Sequence, residues 1–318
     1  MKSLEYHVKI VSALVCAGLV LLLSLVLVTV ACAQTTPAPG ADLDKMLDGL
    51  DAPKRQDVTG TFKAGRVINL QSVEKAAPGT LEFVISHRFG PLNGGAYQLW
   101  GLDQSTIRIG LQYGINRFLS VGVGRSSYQK AYDGFAKATL LRQSIGPGAV
   151  PVSVVYFGSA AINTLTFDDP SRDNYFSSRL VFVNQLIVAR KVSERLSLEI
   201  APTVLHRNLV ATERDQNLVY AVGVGGRLKL TKRTSLNAEY IYRVPPKYPD
   251  AASYANFYNS LSVGFDIETG GHVFQFHLSN SLSMIEKGFI AETTDSWATG
   301  GIHLGFNISR DFVLHRPR

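Results

Sequence analysis

The chain has 318 residues, 46% of them hydrophobic, and its 32 Lys and Arg against 25 Asp and Glu give a formal net charge of +7. That excess is modest for the length and is scattered without a dense run, which argues against nucleic acid as a partner. Both cysteines, Cys16 and Cys32, fall within the first 33 residues, so a chain cleaved behind them has no disulfide, thiolate metal site or cysteine nucleophile.

Lys2 and Lys9 precede an uncharged run from Ile10 to Ala33. Residues 1–33 read as a secretory signal peptide, with Ala31-Cys32-Ala33 as a small-residue cleavage site and Gln34 as the first mature residue. The run is also long enough for an anchoring helix. Lipidation of Cys32 ranks last, because Thr29-Val30-Ala31 lacks the leucine usual before a lipidated cysteine. Residues 34–60 read as a periplasmic linker carrying a short amphipathic piece around Leu43, Met46, Leu47 and Leu50, expected to pack against a barrel mouth. Residues 61–318 are read as one barrel domain.

From Leu81 onward twelve strand-like segments follow, at about 81–90, 103–113, 118–128, 134–144, 150–159, 178–190, 195–205, 217–230, 234–243, 257–267, 272–281 and 300–310. Most are about ten residues long, which suits a tilted strand crossing a bilayer better than the usual globular strand. In TIRIGLQYGINRFLSVGVGRSS, residues 106–127, Ile107, Ile109, Leu111 and Tyr113 share one face, with Thr106, Arg108, Gly110 and Gln112 on the other. The connections alternate in length. Short turns follow strands two, four, six, eight and ten, and longer polar loops follow most odd strands. This asymmetry predicts a transmembrane antiparallel up-and-down β-barrel of the bacterial outer membrane, with short periplasmic turns, longer extracellular loops and the apolar faces turned to lipid. Aromatics near the long-loop ends, among them Tyr132, Phe135, Tyr156, Phe157, Tyr240 and Tyr258, fit an interfacial girdle.

The opposite faces would line the interior. They offer Arg108, Gln112, Arg227, Lys229, Glu239, Asp266, His277 and His303 as lumen-lining candidates. A three-residue turn at 231–233 sets Arg227 against Asn237 inside and Leu228 against Leu236 outside. Strand six, LVFVNQLIVAR, is apolar on both faces apart from Asn184 and Gln185, which predicts that it packs against something inside, such as the N-terminal segment or a loop. The short turns repeat an arginine before an apolar residue, making Arg117, Arg195, Arg233 and Arg310 candidates for a periplasmic rim whose ordinary role is contact with solvent or lipid headgroups.

Reaction machinery is sparse. There is no phosphate loop, HExxH, haem-attachment motif or GxSxG, and no cofactor or metal is expected. His277 and His303, expected to face each other on neighbouring strands, suggest with Glu268 or Asp266 a metal or acid/base cluster, and Ser262, Ser279, His277 and Asp266 offer a Ser/His/acid set.

The stretches FKAGRVINLQSVEKAAPGTLEFVISHRFGPLNGG, GLDQSTIRIGLQYGINRFLSVGVGRSS and FDIETGGHVFQFHLSNS resemble an uncharacterised family of outer-membrane β-barrel proteins from Bacteroidetes-type bacteria, a domain of unknown function. The resemblance runs from about Phe62 to Phe312. It implies a membrane-associated barrel and brings no reaction, substrate or site residues. One departure is the tail HRPR beyond Phe312, where such barrels often end on an aromatic residue. The expected partners are outer-membrane lipid and lipopolysaccharide, the barrel-assembly machinery during insertion and a periplasmic partner. The expected function is porin-like passage of a small solute or ion. The alternatives are a non-transporting accessory barrel and an outer-membrane lipid-modifying hydrolase.

Overall fold

The computed structural model describes residues 54–167, 171, 173–210 and 212–315. The expected signal peptide and the expected amphipathic piece around Leu43 to Leu50 lie outside the described residues. Twelve strands form one closed antiparallel barrel: β1 (Thr80–Pro91), β2 (Ser105–Gly114), β3 (Leu119–Ser126), β4 (Tyr132–Leu141), β5 (Ser153–Ile162), β6 (Leu180–Lys191), β7 (Leu196–Arg207), β8 (Leu218–Lys229), β9 (Thr234–Arg243), β10 (Ser260–Thr269), β11 (His272–Ser279) and β12 (His303–Val313). Each strand pairs with its neighbours in sequence. β12 closes on β1 from Val313 opposite Thr80 to His303 opposite Pro91, with one register shift between His303 and Gly305. Closure satisfies every edge, the condition for a sheet in hydrocarbon.

Alternation decides which way each strand faces. In β2 the side chains of Arg108 and Gln112 are buried while Ile107, Ile109 and Leu111 are exposed, so the apolar face of the 106–127 hairpin points outward. The β8–β9 pairing has Arg227 opposite Asn237 and Leu228 opposite Leu236, as alternation and turn length require.

The connections sort by length. Residues 115–118, 192–195, 230–233 and 270–271 are short turns on one side, while 92–104, 163–179, 208–217, 244–259 and 280–302 are long loops on the other. The connection after β4 is longer than its 145–149 expectation, spanning residues 142–152. There Ser144 and Ile145 pair with Asp57 and Gln56, which fastens the described part of the linker to the short-turn rim. The girdle expectation needs correcting at two positions. Phe135 and Phe157 pack against each other at 5.6 Å inside the barrel, whereas Tyr132, Tyr156, Tyr240 and Tyr258 are exposed.

Two elements occupy the lumen. One is the segment 58–78, whose residues 61–76 are buried or half-buried inside the barrel, and the wall begins at Thr80, one residue before the expected start at Leu81. The other is α2 (Glu286–Ala291) in the last long loop, every residue of which is buried; α1 (Ala252–Ala255) sits in the preceding long loop. Phe289, Ile290 and Ala291 of α2 join Leu70 and the inner residues Val155, Phe157, Val181, Val183, Ile187, Leu205 and Ile241 in one apolar cluster. This cluster explains the two apolar faces of β6. Its outer face meets lipid, and its inner face meets the lumen segment and α2.

Candidate functional site

Residues 58–78 form a hairpin. Arg66 bridges Gln71, and the Val67 N–H donates to the Leu70 carbonyl at 2.8 Å, which closes a turn over Ile68 and Asn69. The loop directs three successive backbone N–H groups, those of Ile68, Asn69 and Leu70, onto the Glu239 carboxylate at 2.9–3.1 Å. A carboxylate bound by several backbone donors has its charge offset where water is scarce.

Other wall residues hold the hairpin backbone in the same manner. Lys137 Nζ donates to the carbonyls of Gly65, Ser72 and Glu74 at 2.6, 3.2 and 2.9 Å. Arg227 Nη1 donates to Gly60 and Thr61 at 3.1 and 3.2 Å. Gln275 Nε2 donates to Val67 at 3.1 Å and also to Asp266 at 3.0 Å, and Asn307 Nδ2 donates to Ile68 at 3.1 Å. Arg88 reaches the Asn69 side-chain oxygen.

The opposite side of the hairpin is apolar. A Cβ on Gly223 would lie 2.7 Å from Leu70 Cδ1, and one on Gly225 3.2 Å from Val67 Cγ2. Glycine on β8 therefore leaves the room into which these side chains fit. The apolar inner residues of β5–β9 thus alternate with buried polar ones such as Glu199, Arg227 and Glu239, the inner faces of β10–β12 and β1–β2 are mostly polar, and the hairpin meets both kinds of side chain.

Of the lumen-lining candidates, Arg108, Gln112, Arg227, Glu239, Asp266, His277 and His303 are buried and inward; Lys229 is half-buried at the short-turn end. Arg108 does not face an open pore. It forms a buried ion pair with Asp133, with Nε to Oδ1 at 2.9 Å. Gln112 donates to Ser120 Oγ at 2.9 Å.

The two histidines do not oppose each other. His277 lies opposite Gly305 and His303 opposite Ser279. The His303 ring contacts the Phe89 carbonyl and Asp295, while the His277 ring has no hydrogen-bond partner among the described residues. Ser262 and Ser279 bond each other and Asn69, so the Ser/His/acid set is not assembled among the described residues. Arg117, Arg195, Arg233 and Arg310 are all exposed at the short-turn side, and Arg117 and Arg310 lie over the rings of Phe118 and Phe312 at 4.5 and 5.1 Å.

The hairpin is the feature that strand reading misses. Its signal is a run of apolar residues at Phe62, Val67, Ile68, Leu70 and Val73 without strict alternation, immediately before the first strand.

Residues 62–312 match the family described as Membrane bound beta barrel domain (DUF5777). The chain belongs to this family. No curated protein matches it. Among solved structures, the KdgM porin is similar at 9% identity and a TM-score of 0.42, over 74% of this chain and 99% of that one. The NanC porin is similar at 7% identity and a TM-score of 0.44, over 73% and 98%. An outer membrane channel from Pseudomonas putida F1 is similar at 12% identity and a TM-score of 0.42, over 75% and 96%.

Proposed function

We propose that this member of the DUF5777 family is a porin-like outer-membrane channel closed by its own hairpin, which withdraws toward the periplasm to pass a small solute or ion. The observation that carries this reading is how the hairpin is held. It fills the lumen but adds no strand to the wall. Its polar side is held by hydrogen bonds with wall side chains, which water can replace, and its backbone bridges to the rest of the barrel are at its ends, Pro78 to Gly114 and Gln56–Asp57 to Ser144–Ile145. Withdrawal would leave the twelve-stranded ladder whole.

The test is a reversible lock. With Val67→Cys and Gly225→Cys in a chain whose Cys16 and Cys32 are replaced by Ser, a sulfur at the Val67 Cγ2 position lies within disulfide reach of Gly225. The oxidised protein in a planar bilayer should be silent, and reduction should restore discrete conductance steps. Equal conductance in both states would overturn hairpin gating. Silence in both states, from protein shown to be folded by heat-modifiable migration, would move the non-transporting accessory barrel ahead, a reading that the doubly filled lumen also supports.

A further inference from the structure

At the long-loop end two arginines are buried beside each other, with no carboxylate paired to either among the described residues. Arg207 ends β7 and Arg243 ends β9, on the two strands that flank β8; they are 9% and 2% exposed. Arg243 Nη1 donates to the carbonyls of Ser253 and Ala291 at 3.4 and 3.2 Å, and its Nη2 to those of Tyr254 and Phe257. The Tyr254 ring lies 4.8 Å from its guanidinium carbon. Arg207 Nη2 donates to the Gln216 carbonyl at 3.2 Å. In both residues the Nε is buried and has no hydrogen-bond partner among the described residues.

The nearest carboxylates are engaged elsewhere. Asp215 accepts from the Ser253 N–H and from the Thr212 N–H and hydroxyl, each at 2.9 Å. Glu292 pairs with Lys287 at 3.6 Å and accepts from Gln129 at 3.3 Å. The two guanidinium groups repel each other; Glu292 and Asp215 attract Arg207 without forming an ion pair with it, and the direct contacts of both arginines are to backbone carbonyls. Taking such charges out of water is costly unless each is paired and each donor is used.

Both arginines line one cavity of about 40 Å³, together with Gln216, Pro245, Ser253 and Tyr254. That is roughly three times the space one water needs, enough for a charged end group and too little for a sugar ring. We propose that this cavity binds a small oxyanion group, a carboxylate or phosphate, whose negative charge offsets that of the two guanidinium groups lining it. Planar guanidinium donors suit such an acceptor better than ammonium groups. The source of the group is either a free anion or a phosphate of the outer-leaflet lipid. The site lies at the far end of the barrel from the hairpin's exit, and its test reads binding rather than passage, so it stands or falls apart from the gating reading.

The full chain, folded in a phosphate-free maltoside detergent, should bind radiolabelled inorganic phosphate in equilibrium dialysis at one per barrel, against a constant chloride background. Arg207→Gln should weaken this binding at least tenfold. Arg207→Lys, which keeps the charge but loses the in-plane donor, should give an intermediate loss, and Lys232→Gln at the opposite rim should leave binding unchanged. Heat-modifiable migration verifies that each variant is folded. Competition by bis-phosphorylated lipid A added to the micelles would assign the site to lipid phosphate, and undiminished binding would assign it to the free anion. Absence of saturable binding above the chloride background, or binding that survives Arg207→Gln undiminished, would overturn the proposal.

Discussion

Glu239 shows how much of the lumen depends on single side chains. Its carboxylate receives three backbone N–H groups of the hairpin turn, and Glu239→Ala would leave all three without that acceptor in a buried region. An orphaned group costs about 1–3 kcal/mol. With water recovering part of the loss, release of the hairpin should become easier by about 3 kcal/mol, or roughly a hundredfold. The rate at which a water-soluble maleimide labels Val73→Cys should rise by that factor, and an unchanged rate would show that Glu239 does not hold the turn. On the outer surface, Tyr156 donates its hydroxyl to Asn184 at 2.5 Å, which satisfies an amide on the face turned to lipid. Tyr156→Phe should cost about 1 kcal/mol in denaturant titrations in micelles, and Asn184→Leu in the same background should recover it. At this scale the sequence is legible where neighbours are close in it. Arg227 and Asn237 meet because a three-residue turn joins their strands, whereas Glu239 meets Asn69 across 170 positions, a distance that no local pattern spans.

At the scale of elements, all twelve strands follow from alternation and turn length, because one face of each is paid for by lipid and the other by the lumen. The hairpin has no such period, since its two sides meet different walls and its backbone bonds to side chains instead of a ladder. Only its counterpart was visible, in the inner face of β6, where Val181, Val183 and Ile187 required a partner. The hairpin also carries a group that makes its docking depend on pH. Burial pushes the Glu74 carboxyl above the usual carboxylate range, against the opposing pull of backbone N–H groups from Phe62 and Thr61 and the charges of Lys137 and Arg227. The docked state therefore binds this proton more tightly than the released state. Docking is fully favoured below the ordinary carboxylate pKa and weakens as the pH rises through the raised value. Labelling of Val73→Cys, normalised to the denatured chain at each pH, should accelerate as the pH rises from the ordinary carboxylate range, and Glu74→Gln should flatten that dependence. Acceleration that persists unchanged in Glu74→Gln would assign it to another group.

For the whole molecule, closure is achieved from both ends, and the two closures touch. Glu286 on α2, which descends from the long loops, accepts from Gln71 Nε2 at 2.7 Å and pairs with Arg66 at 2.9 Å, both on the hairpin that enters from the short-turn side. Arg66 and Glu286 are 12% and 2% exposed, so their attraction is little screened by solvent. A barrel with two independent plugs would open one end without disturbing the other, whereas a shared ion pair makes movement of either segment release the other. A double-mutant cycle separates these cases. Arg66→Gln and Glu286→Gln should each accelerate labelling of Val73→Cys, and the double variant should accelerate it by less than the product of the two. The missing factor should be about five- to thirtyfold, a coupling of roughly 1–2 kcal/mol. Simple multiplication of the two effects would mean that the long loop and the hairpin close the lumen separately, and a signal arriving at the outer face would then have no route through this pair to the periplasmic end.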